Sequence, residues 1–133
     1  MTIAQAGQYN FPRGLKRNET FAVRYAEAQF CKDVLSMVYL LNKTYAPFYK
    51  WMHRGVRELP VLGARIYAMI SELITTPEDE KKVAQIEAIC ACLVKQLQRE
   101  GLSEHHSDFL LDHAHRVHAH IKDPKLGRVF MVV

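Results

Sequence analysis

Apolar positions recur along this chain at helical spacing, and strand-like alternation never runs beyond a few residues. The spacing predicts a first helix over residues 18–41, with Asn18 as its N-cap. Its apolar residues form two lines. Phe21, Tyr25, Ala28, Leu35 and Tyr39 make one; Phe30, Val34, Met37 and Leu41 make the other. A helix apolar over more than half its circumference is packed on two sides, or lacks a partner. Pro47 and Pro60 suit first helical turns, where a missing N–H costs nothing, and predict helices over 47–57 and 60–74. Thr76-Pro77-Glu78-Asp79-Glu80 is the clearest start: Thr76 caps, Pro77 takes the first position, and three acids complement the helix dipole. This fourth helix runs to about Arg99 on a core face of Val83, Ile86, Ile89, Cys90, Leu93, Val94 and Leu97, and Gly101 ends it in a left-handed turn. Ser103 caps a fifth, over 103–121, with a seam of Leu110, Ala114, Val117 and Ile121.

The expected fold is all-α: one domain over 1–133, a bundle of about five helices with short connections. Residues 1–17 are expected as an extended N-terminal arm and 124–133 as a short tail, extended from Val129 onward. A chain of 133 residues, 49% hydrophobic and 24% charged, buries one core and excludes disorder as its main state. Three cysteines without paired spacing argue against a disulfide scaffold and for a reducing compartment. No basic-then-apolar leader opens the chain, and no apolar run approaches the ~20 residues of a membrane helix. A cytoplasmic location, away from membrane, is the expectation.

The net charge of +4 permits an anionic partner without demanding one. Arg13, Lys16, Arg17 and Arg24 load the start of the chain, and Lys43, Lys50, Arg54, Arg57 and Arg65 the next third. Acids gather at Glu78, Asp79, Glu80, Glu87 and Glu100. A solvated surface and an anion-facing basic patch both fit this distribution.

His105, His106, His113, His115, His118 and His120 fall within the expected fifth helix. Asp108, Asp112 and His115 would share one face there, a set suited to a hard or borderline metal. Neither a His-Glu-x-x-His pattern nor a nearby cysteine supports it, and an exposed or interfacial histidine surface explains the same residues. Cys90 and Cys92 point to different faces and, with Cys31, read as packed thiols. No hydrolase elbow, P-loop or dinucleotide-binding glycine pattern occurs, and no catalytic residue is assigned. Arg99, five residues, then His105 matches the motif of helical RNases of the higher-eukaryote-and-prokaryote nucleotide-binding type, but straddles Gly101.

The most distinctive segment runs from Leu40 to Arg54, where aromatic and basic residues interleave across a helix junction. Tyr45 and Trp51 offer ring faces for a base, and Lys50 and Arg54 offer charge for phosphate. A tightly packed corner, with Tyr45 and Trp51 in the core and the cations extended outward, is the alternative.

Asn42-x-x-Tyr45-x-Pro47-Phe48-Tyr49-Lys50-Trp51 resembles a bacterial helical domain of unknown function that follows a polymerase-β-like nucleotidyltransferase domain. Phe11-Pro12-Arg13-Gly14, Leu59-Pro60, Gly101-Leu102-Ser103 and Ile121-Lys122-Asp123-Pro124 extend the resemblance from about Tyr9 onward. It implies a non-catalytic, substrate- or nucleotide-positioning domain like the C-terminal helical bundle of kanamycin nucleotidyltransferases. Tyr45, Lys50, Trp51 and Arg54 would make the contacts, with Arg13, Arg17 and Arg24 as further phosphate ligands. The chain itself needs no cofactor. Mg²⁺ and a nucleoside triphosphate belong to a transferase domain, in cis or trans, whose glycine-serine and paired acidic residues these 133 residues lack. Nucleic acid stays open as a partner. A homodimer burying Phe30, Val34, Met37 and Leu41 is the alternative without a ligand.

Overall fold

The computed structural model describes residues 2–128, and every regular element among them is helical. A π-helix, Ala4–Asn10, runs directly into α1, Phe11–Lys16. Then follow α2 (Thr20–Leu41), α3 (Tyr49–Val56), α4 (Gly63–Thr75) and α5 (Asp79–Arg99). A 3₁₀ turn at Leu110–His113, α6 (Ala114–His118) and a 3₁₀ turn at Leu126–Arg128 complete the order. No helix among the described residues is long and apolar enough to cross a membrane. The extended tail expected from Val129 onward lies outside the described residues.

Phe30, Val34 and Val38 of α2 and Ile86, Ile89, Cys90 and Leu93 of α5 belong to one core, which Ile66, Ile70 and Leu73 of α4 extend. The segment expected as an extended arm is instead helical and part of this core. Ile3, Ala4, Ala6 and Phe11 are buried there. Gly7 makes the approach possible: a Cβ on it would stand 2.3 Å from Phe30 Cδ2 and 2.9 Å from Ile86 Cγ2. Two glycines and a proline give this stretch poor intrinsic helicity, so burial overrides propensity. Gln8 ties it down further, donating to Glu87 at 2.8 Å and to the Asp108 carbonyl at 3.0 Å.

Asn18 does not begin the long helix. It ends the preceding one, left-handed at φ 55, with Asn18 N–H bonded to Leu15 O and Glu19 N–H to Gly14 O. The same six-to-one closure ends α2 at Lys43 (φ 53) and α5 at Gly101 (φ 68). Phe48, not Pro47, leads into α3, and α4 starts at Gly63, three residues after Pro60. Thr76 does not cap α5: its hydroxyl donates to Glu72 O at 2.8 Å and closes α4, leaving Glu78 as the N-cap.

The expected fifth helix contracts to the 3₁₀ turn and α6. Ser103 caps nothing helical. Local side-chain hydrogen bonds compete with the helix here. Ser107 N–H donates to His105 Nδ1 at 3.1 Å, Phe109 N–H to Ser107 Oγ at 3.1 Å, and Ser107 Oγ to Asp112 at 2.5 Å. His113 Nε2 donates to the Ser107 carbonyl at 2.7 Å, so its Nδ1 accepts from buried Ser103 Oγ at 2.6 Å.

Candidate functional site

After α2 closes at Lys43, the chain runs without regular structure through Pro47 and enters α3 at Tyr49. Asn42 fixes this junction. Its Nδ2 donates to Val38 O (2.8 Å) and Val61 O (2.9 Å), and its Oδ1 accepts Val61 N–H at 2.8 Å. Met52 and Val56, one turn apart, bury the inner face of α3. Tyr39 Oη donates to Met52 O at 3.1 Å and passes close over Gly55, where a Cβ would stand 2.5 Å from it. His53 stacks on Tyr67 of α4 at 4.3 Å and bonds to Tyr67 O and Ser71 Oγ.

That anchoring turns the opposite face of α3 outward. Tyr45 is fully exposed, Tyr49 is 73% exposed and Trp51 47%. The packed-corner alternative, with Tyr45 and Trp51 in the core, is therefore excluded. Lys50 Nζ stands 4.9 Å from the Trp51 ring centroid and Arg54 Cζ 5.8 Å. Phe48 and Tyr49 hold their rings 4.5 Å apart beside it. Neither Lys50 nor Arg54 forms an ion pair among the described residues. An exposed indole flanked by two unpaired cations can stack a flat ring and neutralise an anion attached to it.

Arg13 and Arg17 sit together elsewhere, on a groove of about 540 Å³ between the N-terminal helix and α2 that Phe21 and Tyr25 also line. The Arg13 guanidinium lies 4.6 Å from the Tyr9 ring centroid and donates to its hydroxyl at 2.5 Å. Arg24 joins neither place. Its guanidinium is held by the carboxylates of Glu27 (2.9 Å) and Asp79, where α2 faces the start of α5. Phe21 and Tyr25, expected on a packed line, are exposed.

Asp108, Asp112 and His115 do not assemble. Asp108 lies outside any helix, Asp112 accepts from Ser107, and no group of three or more His, Cys, Asp or Glu among the described residues is placed to hold a metal. Arg99 ends α5, and His105 lies beyond the left-handed Gly101, so the RNase-like pair does not share a helix. Cys90 and Cys92 are buried and Cys31 partly so. Burial, aided by the Glu27 carboxylate, pushes the Cys31 thiol up to about 12. Burial, aided by Glu87, does the same to Cys90, up to about 12. Neither is a neutral-pH nucleophile.

Of the apolar line proposed for dimerisation, Phe30 and Val34 are spent in the chain's own core. Met37 and Leu41 line an apolar groove of about 620 Å³ with Leu97, Leu102, Val117 and Ile121. Sequence reasoning missed the buried Lys82–Glu27 pair, at 2.7 Å, and the clamp made by Asn42. No periodicity separates these residues from ordinary surface polars.

Residues 1–52 match the family model of a domain of unknown function (DUF4037). The matched segment carries the N-terminal groove, α2 and the corner as far as Met52. No curated protein and no solved structure matches the chain.

Proposed function

We propose that this chain is a non-catalytic helical domain that positions a nucleotide for a polymerase-β-like nucleotidyltransferase domain, in cis or in trans, in the cytoplasm. The observation that carries this reading is the exposed Trp51 ring with Lys50 and Arg54 beside it. A nucleobase stacks on the indole or on Tyr45, and the ammonium and guanidinium meet its phosphates. The resemblance of Asn42 to Trp51 to a transferase-associated helical domain supports the same assignment. No metal-binding set of His, Cys, Asp or Glu stands at the corner among the described residues. In this reading Mg²⁺ and the transfer step belong to the partner domain, where metal-bound carboxylates would activate an acceptor hydroxyl, and the nucleoside triphosphate is held between that domain and this corner.

The test is thermal unfolding of the purified chain with nucleoside triphosphates, with and without Mg²⁺. Binding to the native state raises Tm by a few degrees, increasing with ligand concentration. Lys50→Ala should remove the rise and leave the ligand-free Tm unchanged. No rise at millimolar nucleotide overturns the proposal.

A second reading, a homodimer, is supported by the apolar groove that Met37 and Leu41 line. It predicts a sedimentation mass that rises with concentration and that a Met37→Glu substitution returns to monomer.

A further inference from the structure

The N-terminal groove extends toward the start of α3. Tyr25 and Gln29 line both that groove and a second hollow of about 580 Å³, whose other wall includes Tyr49 and Met52 of α3. Tyr49 and Trp51 stand two residues apart at the start of α3 and project from different sides of it. Exposed rings therefore run from Phe21 and Tyr25 on α2 to Tyr49 and Trp51 at the start of α3. Phe21 is 81% exposed and Tyr25 62%. They hold their rings nearly parallel, 22° between planes, at 6.0 Å. The twelve residues of α2 from Phe21 to Lys32 span about 16 Å, more than one nucleotide covers.

This part of the chain is also positively charged. Residues 1–57 hold nine Lys and Arg against three Asp and Glu. Two of those three acids are already engaged. Glu27 is paired with Lys82, and Asp33 accepts from Gln29 with Lys32 beside it at 3.6 Å. Arg17, like Lys50 and Arg54, forms no ion pair among the described residues. Glu19 is the one carboxylate lining the groove.

We infer that this surface binds a single-stranded oligonucleotide, running from the Arg13–Arg17 groove across Tyr25 to Tyr49 and on over the start of α3 to Trp51. The inference rests on the reading of Trp51 as a base-stacking surface and extends it to a polymeric substrate. Ring faces accept bases only when these are unstacked from a partner strand, which selects single strands over duplex. Unpaired cations at both ends of the row of rings match an extended phosphate backbone better than one small anion.

The experiment is fluorescence anisotropy of the chain with labelled oligouridylates, from a dinucleotide to about eight nucleotides. Affinity should rise about tenfold with each added stacked base until the track is filled, and fall steeply with salt. Tyr25→Ala and Arg17→Ala alter exposed side chains. Each should lower the ratio of long-oligomer to mononucleotide affinity about tenfold. Length-independent affinity, with both variants unchanged, overturns the track and leaves the Trp51 reading standing. Absence of binding by mononucleotide and oligomer alike overturns both. A doubled sedimentation mass that Tyr25→Ala reverses, with no oligomer bound, would give this face to a second copy of the chain and overturn the track.

Discussion

The Tyr39 hydroxyl donates to the Met52 carbonyl oxygen at 3.1 Å, and this buried bond seats α3, with Trp51 on its outer face, against α2. Burial pushes the Tyr39 phenol up from its ordinary value. Tyr39→Phe should cost about 1 kcal/mol. Urea denaturation should show a lower midpoint with an unchanged slope.

Lys82 and Glu27 join α5 to α2 inside the structure, with both side chains almost wholly removed from water. Lys82→Met strands a buried carboxylate that keeps only Arg24. The expected loss is about 3 kcal/mol, at the lower end for breaking a buried pair. The double variant Glu27→Gln, Lys82→Met should be more stable than Lys82→Met alone. Urea midpoints of the two variants check this directly.

Gly7 allows the N-terminal helix to press on Phe30 and Ile86. Gly7→Ala places a methyl into the Phe30 ring edge, and the core must shift. A loss of about 1–3 kcal/mol is expected despite alanine's better helix propensity. Amide exchange across residues 3–16 should accelerate relative to α5.

Helical periodicity made α2, α4 and α5 legible, because each presents whole turns of apolar residues to one core. The N-terminal helix was not legible: residues 4–8 are all Ala, Gly and Gln, and contact with Phe30 and Ile86 makes the stretch helical. Asn18 reads equally well as a helix start or as a left-handed stop, and hydrogen bonding to Gly14 and Leu15 decides for the stop. The His-rich segment carried a helical seam, but Ser103, Ser107 and His113 turn their hydrogen bonds inward and shorten the helix. At the site, the interleaving of rings and cations between Tyr45 and Arg54 was visible in the sequence. Which rings face water was not, since Tyr25 and Tyr39 share one apolar line yet only Tyr39 is buried.

The two buried thiols make stability fall at alkaline pH. Folded Cys31 and Cys90 titrate near 12, above the ordinary 9.0, so between these values the unfolded chain loses protons that the folded chain keeps. Their contribution is fully present below about pH 9 and is lost as pH rises toward 12. The slope is at most about 1.4 kcal/mol per pH unit for each thiol. Tm should fall through this window, and the fall should be shallower in Cys90→Ala than in the parent chain.

Trp51 is the single tryptophan of the chain, so its emission reports directly on the corner. The decisive measurement is a titration of that emission with a nucleoside triphosphate, corrected for ligand absorbance. Stacking of a base on the indole predicts saturable quenching, lost in Lys50→Ala and Arg54→Ala and weakened by salt. Emission unchanged through millimolar nucleotide, in a chain whose folded state is intact, would contradict the assignment of this corner as a nucleotide-positioning site.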